Sequence, residues 1–348
     1  MAEWWTAHLL DRTDFEKGEL GMVRGGTLSW SAFRSVPGDG SLEVTLDDEL
    51  PIDWLSDRIR ITHHSDDDGE ERERPFGIWL IAAPERQHKG DVTHVTIKLS
   101  DKTDLLNSPA GQWVTVPAGA VVTERVAAII AAQAGEVAAA TPSPSTLTHA
   151  LTWKPEDTWL TVVNDLLRAI NYATLWADGT GRLRVEPYVA PGDRRTAATY
   201  GFEGEQLHMR TEWSDELPLW DVPTGFAVYT EGDETTPGMS ARADLPASHP
   251  LSAAARGREV VRVESVEATS LSVLQGIAQR RLDDQMSVVR RATITHPVDD
   301  TQLNDAIEHA PARFRGAVVD RQVSLAIGAV VSDSVRHIWT DMEALPWL

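Results

Sequence analysis

Apolar and polar residues alternate with a period of two through much of the first hundred residues, which is the spacing of half-buried β-strands. Leu42, Val44 and Leu46 fall on one face, with polar residues between them. The same alternation recurs at 27–30, 58–62, 76–82 and 92–99, with a turn at 36–40. Several strands at this spacing predict a β-barrel or sandwich within residues 1–110.

Between residues 111 and 194 the apolar spacing changes to that of helices. A stripe from Val122 to Val137 predicts a helix near 122–137, after the turn at 117–119. A second stripe predicts a helix near 157–170, with Asp157 as its N-cap. A turn at 178–181 then predicts a hairpin within 174–186. This region is therefore predicted to be an α/β insertion.

The last part of the chain returns to strand-like sequence. Residues 195–255 are rich in Gly, Pro, Asp and Glu, which predicts return strands and loops, with a loop tip at 231–234. Residues 256–348 are predicted to hold a helix near 270–285 and a second β region, with strands near 288–294 and 322–331. The order predicts a β-rich α+β chain with two β-barrels separated by the insertion. The first barrel is expected to be completed by strands from within 195–235.

A strongly polar segment, residues 63–74, is predicted to be an exposed loop because of its charge. His63 and His64, with Asp66 to Asp68, could attract a cation, but their spacing does not match the alternating ligands of an EF-hand. A solvated loop is the favoured interpretation, and no metal ligand is assigned.

Composition limits the classes of function. The 53 acidic and 32 basic residues give a net charge of −21, so the chain lacks the attraction that supplies most nucleic-acid affinity. Cysteine is absent, which excludes disulfides and thiolate metal sites. No run approaches the roughly 18 apolar residues of a membrane span. The 13 tryptophans are scattered along the chain, a distribution typical of cores and subunit interfaces.

A search for catalytic motifs finds no phosphate loop, nucleophile elbow or zinc-protease pair. Three adjacent carboxylate pairs could be offered as glycosidase acids: Glu156-Asp157, Asp283-Asp284 and Asp299-Asp300. Such acids flank a bond across roughly 5 to 9.5 Å from separate elements, which adjacent residues do not achieve by themselves. Asp157 is better explained as a helix cap, and Asp283-Asp284 as the exposed face of a helix. No catalytic or cofactor-binding residue is assigned, and no cofactor is expected.

One part of the chain resembles a known family. Residues 156–172 contain Trp-Leu-x-x-Val-Asn-Asp-Leu-Leu, from Trp159 to Leu167, and run into a Trp-x-Asp-Gly-x-Gly hairpin, from Trp176 to Gly181. A Glu-Pro-Tyr sequence, ending at Tyr188, follows. This pattern resembles the minor tail proteins of actinobacterial siphophages that look like tail hub, or baseplate hub, subunits. The resemblance spans nearly the whole chain but is specific within residues 156–188.

The resemblance implies a structural protein of the virion, made in the host cytoplasm and located at the phage tail tip. It implies a homotrimer with two tail-tube-like barrels per subunit, joining the tail tube and distal tail protein to the central tip. Other tail-tip proteins and the tape measure protein are the further partners implied. DNA would pass through the lumen without specific binding, and no enzymatic activity is expected.

Two alternatives remain open from the sequence. The first is a tail-associated hydrolase of cell wall or carbohydrate, supported by the acidic pairs and the tryptophans. The second is a receptor-binding or other baseplate protein elsewhere on the tail tip, which would differ in copy number and position.

Overall fold

A computed structural model describes residues 2–46, 50–67, 70–89, 92–202, 206–216, 220, 222–232, 237–286, 291–311 and 313–337. Strands make up 46% of the described residues and helices 16%, so the prediction of a β-rich α+β class is confirmed. Several sequence predictions fall outside the described residues: Asp68, Val288 and Val289, and residues 233 and 234 of the predicted loop tip.

Seven antiparallel strands form the N-terminal region: β1 (Ala2–Leu10), β2 (Glu16–Glu19), β3 (Gly21–Ser31), β4 (Gly38–Leu46), β5 (Arg58–Asp67), β6 (Glu70–Lys89) and β7 (Val92–Asp101). They pair in the order β3-β4-β7-β6-β5-β1-β2. β2 leads into β3 through Leu20, whose N–H donates to the carbonyl of Ala7 in β1 at 2.7 Å. The sheet therefore curls back on itself around an apolar core that includes Leu9, Leu42 and Trp79.

The middle region holds two helices and short strands around a separate core. Its elements are β8 (Val114–Val116), α1 (Val122–Ala134), β9 (Ala139–Ala140), β10 (Leu151–Trp153), α2 (Trp159–Ala169), β11 (Trp176–Ala177) and β12 (Leu183–Val185). β11 pairs antiparallel with β12, and β12 pairs parallel with β9. Strands and helices therefore alternate along this region.

The C-terminal end of α1 and the N-terminal end of α2 differ from the sequence prediction. α1 ends at Ala134 rather than near 137, because Gly135 adopts a left-handed conformation with φ of 69° that terminates the helix. Val137 consequently lies outside the helix and is 90% exposed. The N-cap of α2 is Thr158 and not Asp157, since the Thr158 hydroxyl accepts from the N–H of Thr161 at 3.1 Å.

A third group of elements follows: β13 (Thr196–Gly201), β14 (Leu207–His208), β15 (Ser214–Glu216), β16 (Gly225–Tyr229), β17 (Ser240–Asp244), α3 (Ala253–Arg256), β18 (Val261–Ser265) and α4 (Leu271–Met286). β16, β17 and β18 form a three-stranded sheet. α4 packs on that sheet through Leu274, Ile277, Ala278 and Leu282.

The C-terminal strands are β19 (Arg291–Pro297), β20 (Ala306–His309), β21 (Phe314–Ser324) and β22 (Val330–His337). β21 pairs with β20, β22 and β3, so one strand belongs to both β regions. The prediction that strands within 195–235 complete the N-terminal sheet is therefore corrected: among the described residues, β3 pairs with β4 on one side and with β21 on the other, and no strand from 195–235 pairs with β1 to β7. β13, β14 and β15 are short and pair with one another or with β19 and β20.

The predicted polar loop at 63–74 is wrong. Residues 63–67 belong to β5 and residues 70–74 to β6, and β5 is hydrogen-bonded to β1 on one side and to β6 on the other along its length. His63, His64 and Ser65 are buried between these neighbours. The charged residues suggested a loop, but in the structure polar and charged side chains on neighbouring strands bind one another. Arg74, for example, donates to the Ser65 hydroxyl at 3.0 Å.

The described residues contain no helix that is both long and apolar enough to span a membrane.

Candidate functional site

A cavity of about 370 Å³ lies where β6, the β11–β12 hairpin and the segment 299–303 meet. Four aromatic side chains contribute to its wall: Trp30, Phe76, Trp79 and Trp176. Seven charged residues also line it: Arg74, Asp101, Asp178, Arg184, Asp299, Asp300 and Arg321. The N-terminal, middle and C-terminal regions therefore all contribute to one concave site with an aromatic wall and several charged groups.

The hairpin turn in this junction explains the Asp-Gly-x-Gly part of the sequence pattern. Asp178 Oδ1 accepts from the N–H of Thr180 at 2.9 Å and of Arg182 at 3.1 Å, which closes the turn. The carbonyl of Gly179 accepts from the N–H of Gly77 in β6 at 2.9 Å. This backbone contact fixes the insertion against the N-terminal sheet.

Glycine is required at both turn positions by close approach. A Cβ on Gly179 would lie 2.6 Å from the carbonyl oxygen of Pro75. A Cβ on Gly181, whose φ is +79°, would lie 2.7 Å from the side chain of Ile78. The insertion can dock this closely on β6 only because the turn presents bare backbone.

We expect Gly181→Ala to lower the free energy of unfolding by about 2 to 4 kcal/mol, combining left-handed strain with overpacking against Ile78. Denaturant unfolding of the variant provides the measurement. Gly111→Ala is a matched control, because Gly111 has φ of +70° with nothing within 4 Å of its added Cβ. In the control, the free energy of unfolding should fall only by the cost of the left-handed conformation, about 1 to 2 kcal/mol. Equal losses in the two variants would contradict the proposed close docking.

Beneath the cavity lies a buried polar cluster formed by His296, Asp299, Arg321, Asp333 and Tyr200. His296 Nε2 lies 3.0 Å from Asp333 Oδ2, and its Nδ1 lies 3.2 Å from Asp299 Oδ2. Arg321 lies 3.3 Å from Asp299 and 3.6 Å from Asp333, while the Tyr200 hydroxyl donates to Asp299. Two cations thus face two carboxylates, and the charges balance inside the protein.

Both ring nitrogens of His296 face acceptors, because Nδ1 is also 2.8 Å from the carbonyl of Pro297. Burial acts to lower the pKa of His296, but hydrogen bonds to Asp299 and Asp333 outweigh it and raise that pKa to about 9. Burial acts to raise the pKa of Asp299, but its bond to His296 and the charge of Arg321 hold it well below its usual range. The cluster is therefore ionic at neutral pH.

Asp299 and Asp300, predicted as a carboxylate pair, have different environments and different partners. Asp299 belongs to the buried cluster, whereas the Asp300 side chain is 86% exposed and binds Arg74 at 2.8 Å. The two carboxylates therefore have separate partners: Asp299 contacts His296, Arg321 and Tyr200 and also accepts from the N–H of Thr301 at 3.0 Å. This pair does not have the arrangement of a glycosidase acid and base.

The other two predicted pairs also have structural explanations. Asp157 accepts from the backbone N–H of Lys154 at 2.7 Å, and Glu156 is exposed beside it. The prediction that Asp283 and Asp284 form an exposed helix face is wrong, because both are partly buried. Asp284 accepts from the Tyr188 hydroxyl at 3.3 Å, and burial raises its pKa.

Asp101 is a cavity residue that the sequence analysis missed. It caps a 3-10 helix at Lys102–Leu106 by accepting from the N–H of Thr103 at 2.7 Å. Burial raises its pKa to about 6, against the effect of those hydrogen bonds. The Asp-x-Thr sequence after a strand is the local signal that could have identified this cap.

A second missed cluster ties the insertion to the N-terminal sheet. Lys102 Nζ donates to Asp14 at 2.5 Å and to Glu136 at 2.9 Å. Arg58 donates to the same two carboxylates, at 2.7 and 2.6 Å. We call these four residues the ionic square. Its members lie far apart in the sequence, so no local pattern could have revealed it.

In the structure, the residues that could bind a cation with His64 are not those that the sequence suggested. His64 was grouped with Asp66 to Asp68 in the sequence, but its Nδ1 lies 3.5 Å from Glu71 and 3.7 Å from Glu73. These three ligand atoms lie within 4.8 Å of one another. The pairing of β5 with β6 thus assembles a nitrogen and oxygen donor set that the spacing in the sequence does not show.

No protein-family model matches the chain, and no curated protein is significantly similar to it. Solved structures do match. A tail protein from Neisseria meningitidis MC58 superposes with a TM-score of 0.67 and 11% identity, covering 96% of both chains. The 43 kDa tail protein of prophage MuSo2 from Shewanella oneidensis gives 0.63 and 13% identity, covering 95% of this chain and 98% of that one.

A third match comes from a secretion machine. An E. coli component of the type VI secretion system, described as structurally similar to the T4 bacteriophage tail proteins gp27 and gp5, gives a TM-score of 0.53 and 9% identity. The match covers 93% of this chain and 76% of that one. The chain therefore shares its fold with phage tail and baseplate-like proteins.

Proposed function

We propose that this chain is a structural subunit of a phage tail, specifically a tail hub at the tail tip, as the resemblance to siphophage minor tail proteins implied. The observation that carries the proposal is the fold, which matches a tail protein over 96% of both chains. The sequence pattern at 156–188 supports it separately, because it resembles the minor tail proteins of siphophages. The chain would be made in the host cytoplasm and incorporated into the virion.

Two features support two tube-like barrels per subunit. The N-terminal sheet curls so that β1 lies beside β2, which continues into β3. The C-terminal strands β19 to β22 and β13 all contribute to a second apolar core that includes Tyr200, Ile294 and Val335. Three subunits with two barrels each would supply six positions, which fits the six-fold rings that phage tail tubes are taken to form.

This geometry leads to the proposed assembly. A homotrimer would join the tail tube and distal tail protein to the central tip, with closed symmetry that avoids open-ended polymerisation. The tape measure protein and other tail-tip proteins are proposed as further neighbours. The net charge of −21 supports passage of DNA without adhesion, since wall carboxylates and phosphates repel. We propose that acidic residues predominate on the lumen face.

We expect three copies of the chain at the tail tip. The measurement is the copy number in a reconstruction of the intact particle, accompanied by sedimentation of the purified chain over a range of concentrations. The subunit interface should bury well above roughly 1,200 Å². Six equivalent copies at the tip, or a single copy, would refute the two-barrel trimer while leaving a tail role in place.

A hydrolase is the competing function, and Asp101 is the residue that best supports it. Its raised pKa of about 6 and its place in an aromatic-lined cavity are features of a general acid. Its capping hydrogen bond gives the structural explanation that we favour. Incubating the purified chain with host cell wall separates the two functions: clearing that is lost in Asp101→Asn would favour the hydrolase.

A further inference from the structure

The side chains of His64, Glu71 and Glu73 are brought together by the pairing of β5 with β6. His64 in β5 lies directly opposite Glu73 in β6, and Glu71 lies two residues along the same strand. Residues two apart in a strand project from the same face, so both carboxylates lie on the His64 side of the sheet. The distances of 3.5 and 3.7 Å from His64 Nδ1 follow from this register.

The His64 ring is held in a fixed position. The residue is 8% exposed, and its ring stacks on Trp4 with centroids 5.1 Å apart and planes 4° apart. Its Nε2 lies 2.8 Å from the Thr6 hydroxyl. When Nε2–H donates to Thr6, Nδ1 presents its lone pair to Glu71 and Glu73, as in metal-binding histidines oriented by an outer hydrogen bond.

His64 Nδ1 is a buried nitrogen without a hydrogen-bond partner. A buried polar atom left in this state is costly, and such atoms in proteins normally have a partner. The nearest oxygens belong to two carboxylates, both more than half exposed, that converge on this nitrogen. A cation between the three donors would satisfy the nitrogen and reduce the repulsion between the carboxylates.

The spacing of the donors fits a small tetrahedral ion. Zn²⁺ binds nitrogen and carboxylate oxygen at about 2.0 to 2.2 Å, which places two tetrahedral ligands roughly 3.3 to 3.5 Å apart. The observed separations are 3.5 and 3.7 Å, and all three donor atoms lie within 4.8 Å. Ca²⁺ prefers six to eight oxygen ligands, so a site built on an imidazole disfavours it.

We propose that His64, Glu71 and Glu73 bind a divalent transition-metal cation of the Zn²⁺ class, with water at the fourth position. The ion would join β5 to β6 in the outer half of their hairpin. This site is distinct from the cavity and from the buried polar cluster, and it does not depend on the proposed tail function.

The test measures Zn²⁺ binding to chain first freed of metal with a chelator, by titration calorimetry. The wild-type chain should bind one Zn²⁺, and Ca²⁺ at the same concentration should not compete. Glu73→Gln should weaken binding at least tenfold, and Thr6→Val, which removes the outer hydrogen bond, should weaken it about 10- to 100-fold. Because Glu73 is exposed, its replacement should leave folding unchanged.

Glu70→Gln is the matched control, since Glu70 lies on β6 one residue from Glu71 and projects from the opposite face. It should retain wild-type affinity. Ni²⁺ binding should also quench the emission of Trp4, and Trp4→Phe should abolish that part of the quenching. Absence of stoichiometric Zn²⁺ binding, or equal affinity in Glu73→Gln and Glu70→Gln, would overturn the proposal.

Discussion

Replacement of Lys102 by alanine is expected to lower the free energy of unfolding by about 3 to 5 kcal/mol, the cost of breaking a buried ion pair by removing one partner. Lys102 is 1% exposed and holds both carboxylates of the ionic square. Without it, Asp14 and Glu136 face each other with Arg58 as their shared cation. Denaturant unfolding at neutral pH measures the loss.

Lys154→Ala is the control for this experiment. Lys154 is 65% exposed and lies 3.9 Å from Glu156, so its removal should change stability by less than about 1 kcal/mol. The double variant Lys102→Ala with Glu136→Gln should recover part of the loss, because one unpaired carboxylate is removed with the cation. Similar stability for Lys102→Ala and Lys154→Ala would show that the ionic square contributes little.

The second large effect concerns pH. His296 has its pKa raised from an ordinary 6.5 to about 9, which corresponds to about 3 kcal/mol of stability when the imidazole is charged. This contribution is fully present below about pH 6.5, because the group is then protonated in both folded and unfolded chains. It is lost as the pH rises through about 9, where the folded state also releases the proton.

Stability measured by denaturant unfolding should therefore fall between pH 6.5 and pH 9 in the wild-type chain. His296→Gln should be less stable at pH 6.5 and should show a smaller fall over the same range. The groups facing His296 are Asp299 and Asp333, with Arg321 and Tyr200 bound to those carboxylates. If His296→Gln leaves the fall in stability between pH 6.5 and pH 9 unchanged, His296 is excluded as the source of that fall.

The sequence predicted best where structure is local. The period-two alternation indicated the N-terminal strands, and the apolar stripe from Trp159 onward indicated α2 because its spacing matches the buried face. The turn at Asp178 could also be predicted, since the Asp178 side chain bonds to backbone N–H groups no more than four residues away. Each of these predictions depends on neighbours in the chain.

The failures share a physical cause, which is pairing between distant segments. Residues 63–74 read as a loop because hydropathy does not report that β1 and β6 flank β5. Hydrogen bonds in the His296 cluster and in the ionic square join residues up to 99 and up to 88 positions apart, so neither cluster has a sequence signature. Asp299 could be seen as a carboxylate but not as one already bound to His296 and Arg321.

The position of β21 has a consequence for biosynthesis. Its residues 320–324 pair with residues 27–31 of β3, and the Ser31 hydroxyl donates to Asp320 at 2.6 Å across 289 positions. At about 5 to 20 residues per second, a ribosome needs roughly 15 to 60 s to make the intervening chain. During that interval the edge of β3 is unpaired and open to other nascent chains. Pairing at this edge of β3 thus awaits the synthesis of β21, and slow synthesis lengthens the time during which the edge can pair with another chain.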